Sequence, residues 1–149
     1  MLFKLITDNN AIKKLENLNL DSCEYFSFDG IETYAKVCKV YDGDTVTILF
    51  DYHGEIIKLS CRLLGIDTPE LRSNNQKEKE YAIKARDYLA NLILDKVVMV
   101  KFKKFDKYGR PLIVLYKRGI IAKTNINKLM IKEKYALSYD GGKKQKFTY

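Results

Sequence analysis

With 149 residues and 46% hydrophobic content, the chain is one ordinary globular domain, too short for two and too apolar for a disordered segment. Lysine and arginine number 27 against 19 acids, and the resulting net charge of +8 suits either a phosphate-rich partner or a merely solvated basic surface. Three scattered cysteines (Cys23, Cys38, Cys61), with no Cys-x-x-Cys pair and with His53 as the single histidine, exclude a zinc site and a histidine-based triad.

The opening stretch, MLFKLITDNN, has too short an apolar run for a signal peptide, and no segment approaches the length of a membrane span. Together with cysteines that read as reduced and mostly buried, this points to a soluble intracellular protein with no membrane partner. The next residues offer Asp8 or Asn9 as a helix N-cap, then Ala11, Ile12 and Leu15 as a short apolar face. EYFSFDG reads as a short strand or an ordered arm. Residues 1–32 are therefore taken as an N-terminal extension that packs on a main domain over 33–149.

From residue 33 the apolar period shortens to two. TYAKVCKVY sets Tyr34 against Ala35 and Val37, TVTILFDY places Val46, Ile48 and Phe50 on one face, and IIKLSCRLL is a third strand. NQKEKEYAIKARDYLANLIL then switches to helical spacing, with Tyr81, Ala82, Ala85, Leu89, Leu92 and Ile93 on one stripe. KVVMVKF and RPLIVLYK are two further strands, and TNINKLMIKEKYA is a second helix with Thr124 or Asn125 as its cap. The expected fold is mainly β with helices (α+β): a five-stranded barrel of the oligonucleotide/oligosaccharide-binding (OB) type. One helix is inserted after the third strand and a second follows the fifth.

Three stretches carry charges that admit two readings each. In KVYDGDTVTILF, Asp42-Gly43 is either a plain hairpin turn with Asp44 a solvated neighbour, or the mouth of a functional loop. RLLGIDTPEL brings Arg62, Asp67 and Glu70 close together on a loop stiffened by Pro69, where solvated charges are equally tolerated. DKYGRPL is a tight turn with Gly109 at positive φ that also delivers Arg110 to the start of a strand. Combined, they put Asp44 opposite Asp67, and two adjacent carboxylates repel unless a cation sits between them. Oxygen-only ligands, with the Thr68 carbonyl as a third, favour a hard ion such as Ca²⁺. Arg62 and Arg110 supply planar forks for phosphate oxygens, and Glu70 is placed to accept a proton from water or orient it.

KVYDGDTV, RLLGIDTPE and DKYGR, in that order with a helix between the second and third, closely resemble the staphylococcal nuclease (thermonuclease-like) family over about residues 33–147. The resemblance implies an OB-type barrel and Ca²⁺-dependent hydrolysis of DNA and RNA that leaves 3′-phosphate ends. It implies Asp44 and Asp67 as metal carboxylates, Thr68 as the carbonyl ligand, Glu70 beside the attacking water, and Arg62 and Arg110 as transition-state clamps. Lys107 and Tyr108 would lie beside a nucleotide phosphate, and Tyr139 resembles a tyrosine that packs on the nucleotide. On this reading one Ca²⁺ serves each monomer. Residues 1–30 have no counterpart in the family core, and GGKKQKFTY reads as a basic tail where secreted members continue into a helix. The competing expectation is a non-catalytic nucleic-acid-binding module, for which Asp44, Asp67, Glu70, Arg62 and Arg110 together would be superfluous. A peptide-binding domain would instead show an aromatic cage, and no such cluster stands out in the sequence.

Overall fold

The computed structural model describes residues 9–119 and 122–148. In chain order the elements are α1 (Asn9–Glu16), a 3₁₀ turn (Leu20–Ser22), β1 (Glu32–Val40), β2 (Thr45–Tyr52), β3 (Glu55–Leu63) and β4 (Ile66–Asp67). There follow α2 (Gln76–Ile93), β5 (Val97–Phe105), β6 (Pro111–Lys117), β7 (Thr124–Asn125), α3 (Ile126–Lys132) and β8 (Leu137–Ser138). The sheet order is β3-β2-β1-β5-β6-β7, and a parallel pairing of β3 with β6 (Arg62↔Leu112, Leu63↔Ile113) joins its ends. Five strands thus close into the barrel anticipated from the sequence, with β7 a short addition beside β6. Closure pairs the backbone groups that an open edge would leave to water or to another chain.

The period-two pattern explains the interior. Ala35 and Val37, Val46, Ile48 and Phe50, Cys61 and Leu63, Val98, Val100 and Phe102, and Ile113 and Leu115 all point inward and are buried. Each large side chain so buried stabilises the fold by roughly 1.5–3 kcal/mol. One end of the barrel is covered by Ala85, Leu89 and Ile93 of α2 with Ile126 and Met130 of α3. At the far end of β2 an aromatic cluster centres on Phe28, whose ring lies 5.2 Å from Phe102, 5.5 Å from Tyr52 and 5.9 Å from Phe50. Phe26 joins it at 4.7 Å from Phe28. The β2–β3 hairpin turns through His53 and Gly54, both at positive φ, as a two-residue turn between the paired Tyr52 and Glu55 requires.

Several local expectations change. Tyr81 is 41% exposed, because α2 approaches the barrel through small Ala82 and Ala85 and the ring lies at the edge of that face. Cys61 is buried, but Cys38 is only half-buried and Cys23 exposed, so the thiols are not mostly interior. Asn9 is the first residue of α1, Asp8 lies outside the described residues, and Ile12 and Leu15 are exposed. The last helix ends at Lys132, earlier than the apolar pattern suggested. Lys134 adopts φ 64°, and the N–H groups of Lys134 and Tyr135 donate to Ile131 O and Met130 O, closing a Schellman-type C-terminus. Asn125, as expected, caps this helix by accepting from the Lys128 N–H at 3.0 Å.

One buried polar side chain links fold to site. Asn127, 4% exposed, donates to Leu64 O and Ile113 O, both at 2.9 Å, and accepts from the Leu115 N–H at 3.1 Å. A buried amide satisfied this way fastens α3 to β6 and to the chain leaving β3, which leads directly to Asp67.

Candidate active site

The DGD stretch joins β1 to β2. The Tyr41 N–H donates to Thr45 O at 2.9 Å, and the Asp42 carboxylate accepts from the Asp44 N–H at 3.0 Å, so Asp42 is engaged in the turn itself. Gly43 is required by space. A Cβ there would lie 2.7 Å from Thr68 Cγ2 and 3.0 Å from Ala85 Cβ, so glycine lets this turn seat against both α2 and the Asp67–Thr68 segment. Asp44 is 3% exposed and accepts from the Thr45 hydroxyl at 2.9 Å. Its backbone carbonyl accepts from the Leu63 N–H at 2.7 Å, which ties the turn to the end of β3.

The register of β2 on β3 pairs Thr45 with Arg62 and brings the Arg62 guanidinium to Asp44, Nη1 lying 3.0 Å from Asp44 Oδ2. The other arm, Nη2, reaches Asp67 Oδ1 at 3.3 Å and Ile66 O at 3.4 Å. Arg62 thus spans the two aspartates. Asp67, 4% exposed, sits in β4, which Gly65 (φ 81°) turns out of β3 and which pairs with Leu137 of β8. Thr68 is also buried, and Glu70 follows Pro69 with its side chain 64% exposed. Lys144 arrives from the C-terminal segment, its ammonium 3.0 Å from Asp67 Oδ1 and 2.9 Å from Glu70 Oε1. Glu78 in the first turn of α2 accepts from the Glu70 N–H and the Ser73 hydroxyl, anchoring this loop. A cavity of about 280 Å³ opens here between Asp67, Thr68, Glu70 and the segment Lys144–Phe147.

Arg110 immediately precedes β6. Asp106 organises its turn by accepting from the Tyr108 N–H at 2.8 Å, the Arg110 N–H at 2.9 Å and Arg110 Nε at 2.8 Å. Gly109, at φ 77°, supplies the left-handed residue. Tyr108 is 72% exposed, with Lys107 Nζ 5.0 Å and Arg110 Cζ 5.7 Å from its ring centre. Tyr139 is tied by its backbone N–H to Gly65 O at 3.0 Å, two residues before Asp67. Asp44, Arg62, Asp67 and Glu70 thus share one chain of ion pairs. Thr68 adjoins it, Arg110 is held by Asp106, and Lys107 and Tyr108 flank Arg110.

The electrostatics follow from burial. Burial first, and the Asp42 charge second, push the Asp44 carboxyl up to about 7, with Arg62 and the Thr45 hydroxyl pulling the other way. Burial likewise raises Asp106, but the Arg110 and Tyr108 donors outweigh it and leave the carboxyl below its ordinary value. For Lys144, burial lowers the pKa and pairing with Glu70 and Asp67 more than reverses this, so the ammonium form is favoured.

Three contributors escaped sequence reasoning. Lys144 lay in what read as a featureless basic tail, and only the folding back of that tail past β8 shows its partner. Glu78 and Asp106 were visible as charges, and the Asp-x-x-Gly-Arg spacing of a side-chain-closed turn was a signal for the second.

The donor set suits a hard cation. Asp44 and Asp67 are buried carboxylates, and at Asp44 burial and the Asp42 charge outweigh the Arg62 guanidinium and raise the carboxyl's pKa, a balance that a bound cation would reverse. Among the described residues no three His, Cys, Asp or Glu side chains converge as a metal cage. A cation here would therefore draw on the two aspartates, the Thr68 carbonyl and water.

The chain matches the model of a family described as staphylococcal nuclease homologue over residues 60–149. It is 35% identical over 126 residues to an uncharacterized protein of Methanocaldococcus jannaschii, covering 71% of this chain and 59% of that one. It is 33% identical over 109 residues to a micrococcal nuclease of Shigella flexneri (70% and 57% covered) and 31% identical over 104 residues to a thermonuclease of Staphylococcus hyicus (68% and 56% covered). The chain thus spans somewhat more than half the length of these relatives. Among the described residues no helix is long and apolar enough to cross a membrane.

Proposed function

From a chain that belongs to the staphylococcal nuclease homologue family, we propose a Ca²⁺-dependent phosphodiesterase that hydrolyses DNA and RNA and leaves 3′-phosphate ends. The observation that carries this reading is the Arg62 guanidinium spanning buried Asp44 and Asp67, with Glu70 linked to Asp67 through Lys144. A module that only binds nucleic acid has no use for buried acids at the point where it must accept a polyanion. In this reading residues 33–149 form the catalytic unit, active as an intracellular monomer, and residues 1–32 are an N-terminal extension to it.

Asp44, Asp67 and the Thr68 carbonyl would hold the ion. When bound, Ca²⁺ supplies positive charge that polarises the phosphoryl group and orients water. Arg62 and Arg110 meet the charge that builds on the equatorial phosphate oxygens, through forks already fixed by Asp44, Asp67 and Asp106. Glu70, on the exposed rim, accepts a proton from water or orients it for in-line attack. Lys107 and Tyr108 hold a neighbouring phosphate, and Tyr139 packs on the nucleotide.

The test is cleavage of an end-labelled single-stranded DNA and its RNA counterpart, with Ca²⁺ and with chelator, by wild type and Asp44→Ala. Cutting by wild type with Ca²⁺ alone, and products whose mobility shifts on phosphatase treatment of the 3′ end, are expected. Binding of both oligomers without cutting under either condition overturns the reading in favour of a binding module.

A further inference from the structure

A second cavity, of about 290 Å³, lies on the side of Arg110 that faces the outer surface of β1–β3. Its floor is a row of partners across three strands, Lys39 against Thr47 and Thr47 against Ser60, with Thr45 beside Arg62 one step nearer the acids. The inward neighbours Val46, Ile48, Cys61 and Leu63 fill the core, so this outer face is free to be polar, and it presents hydroxyls where a plain solvated strand would carry long charges. Tyr41 stands at its margin, 45% exposed, with Lys39 Nζ 5.8 Å from the ring centre. The ring is carried on rigid backbone, because the Tyr41 N–H closes the DGD turn onto Thr45 O.

We propose that this face is a nucleotide subsite. It takes the unit flanking the scissile phosphate of a single strand, the base stacked on Tyr41, the sugar against the hydroxyl row, and the next phosphate at Lys39. This rests on the nuclease reading above and extends it to residues which that reading leaves idle. Three features support it. The cavity and the Asp67–Glu70 cavity share no lining residue, and each borders one partner of Arg62: Asp42 and Thr45, the neighbours of Asp44, line this one and Asp67 lines the other, so a strand passing the guanidinium can occupy both. Barrels of this type receive oligonucleotides on the face of the second and third strands. An exposed tyrosine beside a lysine offers stacking and phosphate attraction together, the combination that single-strand binders use. Asp42 also lines the cavity and repels phosphate, which directs the backbone toward Lys39 and Arg110 and the apolar base toward the ring.

The experiment is equilibrium binding of a labelled ten-nucleotide oligothymidylate at low salt with chelator, followed by anisotropy. Tyr41→Ala should weaken binding by about tenfold, in line with the loss of one stacked base. Tyr41→Phe should stay within about threefold of wild type. Tyr34→Ala, which removes an exposed ring (57%) from β1, the strand that leads to Tyr41, should change nothing. Lys39→Gln should lower the slope of log affinity against log salt by about one. Equal affinities for Tyr41→Ala and wild type, or equal losses for Tyr41→Ala and Tyr34→Ala, overturn the subsite, as does failure of the wild type to bind. The two readings fail separately. A chain that binds through Tyr41 yet never cuts with Ca²⁺ retains the subsite and loses the nuclease, and one that cuts with an unchanged KM in Tyr41→Ala does the reverse.

Discussion

The two arms of the Arg62 guanidinium meet halves of the site that are built very differently. On one side Asp44 is 3% exposed, its carbonyl is tied to Leu63, its N–H to Asp42, and its turn is seated by Gly43 against Ala85. On the other, Asp67 belongs to a two-residue strand, Glu70 is 64% exposed, and their shared partner is Lys144, itself 49% exposed on a C-terminal segment. The first half is fixed by the barrel. The second is assembled from a loop and a tail, where local opening costs least. A phosphodiesterase benefits from this division: charge stabilisation needs groups held in place before the reaction, whereas water and product must enter and leave.

Arg62 bridges the halves, so its replacement should have the largest effect. Arg62→Lys keeps the charge but cannot reach Asp44 and Asp67 at once, since an ammonium lacks the fork. A loss of roughly a hundred- to a thousandfold in kcat is expected, the scale of removing one preorganised donor from a transition state. Steady-state cleavage of a short oligonucleotide measures it, and a rate within a few-fold of wild type would show that charge suffices and the bridge is incidental.

The same division explains what the sequence made legible. The strand half was readable because alternation fixes faces: once Val46 and Ile48 point inward, Thr45 and Thr47 cannot, and the register then carries Arg62 to Asp44. The order of the three charged stretches was enough to propose Asp44 and Asp67 as neighbours. Tail and loop contacts were not readable, because Lys144 meets Glu70 across 74 positions with no periodicity to announce it. Nor was the exposure of Tyr81, since helical spacing places a residue on a stripe without saying how closely the helix approaches. Gly43 was read as a turn residue for its backbone freedom, whereas its role is to admit Thr68 and Ala85.

A metal-free pH series tests how fully the rigid half is satisfied. The Asp44 carboxyl is raised from 3.8 to about 7 by burial and by Asp42. Between those values the folded chain retains a proton that the unfolded chain has released, so stability falls as pH rises from about 4 to about 7. Asp44→Asn removes that loss. In chelator at pH 8 the variant should be more stable than wild type by on the order of 1–3 kcal/mol, and at pH 4 the two should converge. Urea titrations at both values measure the difference, and equal gains at pH 4 and pH 8 would trace it to packing instead of charge.

The smallest effect concerns the assembled half, and there the sign matters more than the size. The Lys144 ammonium lies against Asp67 and Glu70, so it neutralises Asp67, one of the two carboxylates that a cation would use. A half-exposed ion pair contributes at most about 1 kcal/mol. Lys144→Gln should therefore tighten Ca²⁺ binding by only about two- to fivefold and leave thermal stability nearly unchanged. Calorimetric titration of both proteins with Ca²⁺ decides it, with Lys143→Gln as a neighbouring change of equal charge. If Lys144→Gln weakens binding instead, the tail orders the loop half more than it competes there, and the contrast between a fixed and an adaptable side narrows accordingly.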